Sequence, residues 1–154
     1  MSIIGIEYIV SSDERKTLLN SFKGFNMEKY TWRIVFDQTE LVPITENGKL
    51  GFEAELYSGS DFEKEIIKEH YIIFMKLEAY RNSEVNITEI ESYEDFIQSD
   101  CQLLLLINDV QFVEIYTKSQ TELEILYDNA LKIGFSGIRY ITKETNERAC
   151  FNVL

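Results

Sequence analysis

The chain holds a single histidine, His70, and two cysteines, Cys101 and Cys150. A thiol beside an imidazole base can do nucleophilic chemistry, so His70 with Cys101 is the one dyad these residue types suggest. Such a dyad is recognised by geometry and not by composition, and the sequence names no third group to orient the histidine. The plainer assignments are stronger. Cys101 opens an apolar run and reads as a small buried hydrophobe. His70 follows a helical stretch, where an imidazole sits well against the negative end of the helix dipole. Paired carboxylates could cleave glycosides, but 27 acids guarantee some pair by chance. Neither GxxxxGK nor GxGxxG occurs, nor do GxSxG, CxxC or HExxH. The acids between 95 and 109 lack the glycine and the spacing of a calcium loop. No catalytic residue, cofactor or metal is assigned, and a non-enzymatic protein is the expectation.

Charge distribution is the most distinctive feature. From 82 to 117 there is neither Lys nor Arg, while Glu84, Glu89, Glu91, Glu94, Asp95, Asp100, Asp109 and Glu114 all fall there. The whole chain carries a formal charge of −12. Tyr93 and Phe96 stand among these acids. An acidic face with aromatic anchors would meet a basic protein, the charges guiding encounter and the rings supplying a desolvated centre. The expected partner-binding residues are Glu84, Glu89, Glu91, Tyr93, Glu94, Asp95, Phe96 and Asp100. The competing reading is a solvated surface that keeps the protein soluble.

These residues need elements to hold them. Ser11, Ser60, Ser92 and Ser119 each precede an acid by three residues, the spacing of a capping box. Helices are therefore expected over 13–22 and 61–69, in a short segment after Ser92, and over 121–133. Gly134 is placed to end the last of them. Strands are expected over 3–10, 31–36, 71–77, 101–107, 110–117 and 137–142. Asn108 and Asp109 would make a tight turn in a central 101–117 hairpin. Residues 150–154 read as an edge strand. The stretch 38–57 reads as short strands around Pro43 and Asn47-Gly48. The fold class is α+β: a mixed, mostly antiparallel sheet with about four helices packed on it as a two-layer sandwich. Trp32, Tyr71 and His70 could line an aromatic ligand pocket, which is the alternative function.

The 154 residues fit a single domain, 1–154, with enough chain to bury its own core. One proline and seven glycines leave little room for linkers. The excess negative charge argues against nucleic acid and against an anionic membrane surface. An acidic DNA mimic is a further alternative. The first residues lack a basic region ahead of an apolar core, so no secretory signal is expected. With cysteine usage too sparse for a disulfide framework, a cytoplasmic setting follows.

Gly5-Ile6, Tyr30-Thr31-Trp32, Ser99-Asp100-Cys101-Gln102-Leu103, Leu126-Tyr127-Asp128-Asn129-Ala130, Gly134-Phe135, and Tyr140-Ile141-Thr142 with Arg148 carry a family likeness. Through them the chain resembles an uncharacterised Bacillus-type domain of unknown function, DUF2691, over nearly its whole length. The resemblance implies a Gram-positive cytosolic setting and brings no activity or site residues. The expected function is thus a protein-binding domain, in concrete form an inhibitor or immunity-type protein that occludes a basic partner such as a nuclease toxin.

Overall fold

The computed structural model describes residues 2–42, 52–146, 148 and 150–154. Their strands are β1 (Ile3–Ile9), β2 (Tyr30–Ile34), β3 (Glu40–Val42), β4 (Leu56–Tyr57), β5 (Tyr71–Arg81), β6 (Cys101–Asn108), β7 (Phe112–Thr117) and β8 (Ser136–Thr142). The helices are α1 (Thr17–Ser21), α2 (Gly59–Ile66), α3 (Tyr93–Gln98) and α4 (Gln120–Ile133). All strands join one antiparallel sheet in the order β4-β2-β5-β6-β7-β1-β8, with β3 also on β5. The expected α+β class is therefore correct, and the hairpin of β6 and β7 is central. The 38–57 stretch supplies β3 and β4, while the turn at Pro43 and Asn47-Gly48 lies outside the described residues.

Alternation along β6 explains how the sheet is covered. Leu103, Leu105 and Ile107 face one side, where Leu18, Phe22, Phe62, Ile66, Leu123, Leu126 and Ala130 of α1, α2 and α4 pack. Cys101, Leu104 and Leu106 face the other, under Ile90, Phe96 of α3, and Phe151. A strand that is apolar at successive positions is one buried on both faces.

Two caps form as the spacing predicts. Ser92 Oγ accepts from Asp95 N at 3.1 Å, and Ser119 Oγ from Glu122 N at 3.2 Å. Two do not. Ser58, not Ser60, caps α2 by accepting from Asp61 N at 3.2 Å. A Cβ on Gly59 would stand 2.2 Å from the Met27 carbonyl oxygen, so the helix must start at this glycine to lie against that backbone. Ser11 bonds Asp13 in a turn, and α1 begins only at Thr17. Glu14 there accepts from Lys16 N at 3.0 Å and Asn20 Nδ2 at 3.1 Å instead of capping a helix.

The 108–109 turn is one residue longer than expected. Asn108 pairs with Phe112 across the loop. Asp109 and Val110 take φ of 51° and 67°. A left-handed β-branched residue is strained. Its amide is held by the Ile73 carbonyl at 2.9 Å. The expected edge strand at 150–154 does not form. Phe151 N donates to the Glu91 carbonyl at 2.8 Å, Gln38 Oε1 accepts from Val153 N at 2.7 Å and Leu154 N at 2.8 Å, and Arg148 Nη1 donates to the Cys150 and Asn152 carbonyls. Side chains thus satisfy this backbone in place of a strand ladder. Both cysteines are free thiols, Cys101 buried and Cys150 exposed.

Candidate functional site

His70 and Cys101 do not form a dyad, in keeping with the plainer assignments. His70 immediately precedes β5, whereas Cys101 pairs with Tyr80 near the other end of that strand. Ten residues of strand separate the two levels by roughly 30 Å. Cys101 Sγ donates to the Leu103 carbonyl, and burial pushes the thiol's pKa far up. Trp32 is fully buried, donates through Nε1 to the Met27 carbonyl at 3.0 Å, and stacks on Phe62 at 5.4 Å. Its ring packs the core and cannot serve as the wall of an open cleft. No cluster of three His, Cys, Asp or Glu able to hold a metal occurs among the described residues. No helix of those residues is long and apolar enough to cross a membrane.

The acidic window divides when its residues are placed. Glu84 pairs with Arg81 at 3.5 Å. Asp100 accepts from Asn86 Nδ2 at 2.7 Å. Asp95 Oδ2 accepts from Glu91 N at 3.0 Å, so its carboxylate belongs to the α3 cap. Glu114 lies in the sheet against Arg148 Nε. Phe96, expected as an exposed anchor, is 0% exposed and belongs to the core, because α3 turns it onto the sheet under the Lys118 ammonium. Asp109 lies apart, exposed in the turn between β6 and β7, and the exposed acids left near α3 without such partners are Glu89, Glu91 and Glu94, with Tyr93 half-buried beside them. Among the described residues none of these three carboxylates has an ion-pair partner. Glu89 hydrogen-bonds Glu91 and, by that contact and by like-charge repulsion, raises its pKa above the ordinary carboxylate value.

Next to this group is a groove of about 530 Å³ lined by Tyr93, Glu94, Ile97, Gln98, Ile4 and Arg148, among others. Ile97 is 47% exposed at its rim. The α3 face therefore offers a mixed hollow, in which Tyr93, Ile97 and Ile4 stand beside the cations Lys143 and Arg148, with the unpaired carboxylate of Glu94 at its edge. The cap at Ser92 and the burial of Phe96 hold that helix in place.

Sequence reading missed a second group on the same side of the sheet. Glu78 Oε1 accepts from Arg33 Nη1 at 2.9 Å and from Tyr80 OH at 2.8 Å, and Glu78 is 1% exposed. Lys76, two residues earlier, is 3% exposed. Charged residues at alternate positions inside an otherwise apolar strand were the available signal: one face of β5 carries ionic groups in its interior. Further along the sheet Glu7 and Glu114 are cross-strand partners, and Glu7 pairs in turn with Arg139.

The family described as "Protein of unknown function (DUF2691)" matches residues 3–152, and the chain belongs to it. An "Uncharacterized protein YncE" of Bacillus subtilis (strain 168) is 28% identical over 151 residues, 97% of this chain and 98% of that protein. No solved structure matches the chain.

Proposed function

We propose that this member of a family without an assigned role is a non-enzymatic protein-binding domain that takes a basic partner on its α3 face. The observation that carries the reading is the set of exposed, unpaired carboxylates Glu89, Glu91 and Glu94, of which Glu94 lines the Tyr93–Ile97 groove. Like charges held together are unfavourable in the free protein, and a cationic side chain of a partner would relieve them. The half-buried Tyr93 ring and the exposed Ile97 supply the apolar contact that fixed charges lack. In its sharper form the reading is an inhibitor- or immunity-type protein whose acidic face occludes a basic partner.

The test uses charge reversal away from the helix cap. Glu91→Lys/Glu94→Lys leaves Asp95 and Ser92 to hold α3. Captured on wild type and on this variant in parallel, a basic protein partner is expected to be retained by wild type alone. Its association rate with the variant should fall about tenfold or more at low salt. Equal retention by both proteins, at equal rates, would overturn the reading.

A further inference from the structure

Lys76 is the one buried lysine of the described core, and its surroundings are unusual for an ammonium. Nζ donates to the Ile90 carbonyl and, at 2.9 Å, to Asn152 Oδ1. Both acceptors are uncharged. Among the described residues no carboxylate stands within ion-pairing distance of Nζ. A buried ammonium without a counter-charge is strongly disfavoured, whereas a neutral amine is tolerated. A neutral lysine amine has two N–H donors and one lone pair. The donors match the two acceptors, and the lone pair is left over.

The amine borders open space. Lys76 lines a cavity of about 350 Å³ together with Arg33, Asp37, Glu78, Thr88 and Asn152. The charged and titratable groups around it are Glu78 on its own strand, Arg33 on β2, and Asp37 in the turn after it. Glu89 and Glu91 lie in the segment before α3, and Cys150 in the C-terminal segment. Burial outweighs these acids and pushes the pKa of Lys76 down. Arg33 donates through Nε to Glu55 and through Nη1 to Glu78, and its Nη2 makes no protein hydrogen bond among the described residues.

We propose that Lys76 is a carbonyl-capturing amine and that this cavity takes a small 2-oxo acid or oxo-carboxylate. The Nζ lone pair attacks the carbonyl carbon and forms a C–N bond, and the carbonyl oxygen takes up a proton from the amine. The C–O bond then breaks, the second amine proton leaves with that oxygen as water, and an imine remains. No oxidant or reductant enters the balance. Arg33, which lines the same cavity and whose Nη2 makes no protein hydrogen bond among the described residues, is the group for the carboxylate of the ligand. A desolvated lysine amine is the group that such chemistry requires at neutral pH.

A lysine that merely ties the 82–92 segment and the C-terminal segment to the sheet makes the same hydrogen bonds but does not react. Wild-type protein is incubated near neutral pH with glyoxylate and sodium cyanoborohydride, and carboxymethyl-lysine is quantified at each site by peptide mass spectrometry. Lys68, whose side chain is 62% exposed, is the internal reference. A neutral amine adds to a carbonyl where an ammonium does not, so Lys76, whose pKa burial pushes down, is expected to be modified severalfold faster than the exposed Lys68. That preference should disappear when the protein is unfolded in urea. Modification of Lys76 no faster than of Lys68 in the folded protein, or no modification at all, overturns the proposal. The reading of the α3 face stands or falls separately, because this readout involves no protein partner.

Discussion

Single side chains decide two measurable properties. His70 is buried against Phe52, ring centroids 4.3 Å apart, and its Nε2 meets the Glu65 carbonyl at 2.9 Å. Desolvation lowers its pKa below the ordinary 6.5. As pH falls, the unfolded chain then takes up this proton before the folded one does. The stabilising contribution is full above pH 6.5 and is lost as pH drops through the window just beneath it. Urea midpoints measured about one unit either side of that value should fall on the acid side, and His70→Gln should flatten this part of the slope. Glu122 is the other case. Its carboxylate accepts from Tyr30 OH at 2.9 Å, Thr117 Oγ1 at 3.1 Å and Lys29 Nζ at 3.2 Å. Glu122→Ala should destabilise the fold by about 1–3 kcal/mol, because two buried hydroxyls lose their acceptor. A smaller loss in denaturant titration would mean that water replaces the carboxylate. The sequence singles out His70 as its one histidine and Glu122 as the acid three residues after Ser119, but not the burial that gives each its effect. Phe96 shows why: its neighbours in the chain are acidic, but the turn of α3 decides that it faces inward.

Elements were more legible than sites. The serine-to-acid spacing found α3 and α4 because a cap is a local device whose partners lie within one turn. It failed at Ser11, where the same spacing closed a turn, and at Ser60, where contact between Gly59 and the Met27 backbone moved the start. The segment after Arg148 has a strand-like composition yet is held by Gln38, more than a hundred residues earlier in the chain. Local pattern cannot contain that information. Two glycines give contrasting expectations. Gly134 ends α4 at φ 88° with open space around a notional Cβ, so Gly134→Ala should cost only about 1 kcal/mol, from backbone strain. Gly59→Ala would drive a Cβ into backbone and should cost several times as much. Thermal melts of the two variants would rank them, and equal losses would contradict the close approach of α2 to residues 27–28.

At the scale of the molecule, charge sets the response to solvent. A net charge of −12 on 154 residues is self-repelling in the folded state, and the unpaired carboxylates near α3 contribute to it. Moderate salt shortens the screening length to about 10 Å at 0.1 M. The melting temperature should therefore rise from very low to moderate salt, and most of that rise should vanish in Glu91→Lys/Glu94→Lys. A melting temperature that falls with salt would show that ion pairs such as Arg33–Glu78 outweigh the repulsion.

The position of β1 has a consequence for synthesis. β1 is held in the sheet by β7 and β8, which lie more than a hundred residues later in the chain: Gly5 pairs with Tyr116, and Glu7 with Arg139. At the usual elongation rate of about 5–20 residues per second, β1 leaves the ribosome roughly 5–27 seconds before those partners exist. During that interval Ile3, Ile4, Ile6, Tyr8 and Ile9 form a proline-free apolar segment with no neighbour to pair with. The nascent chain must thus carry β1 unpaired until β7 and β8 emerge.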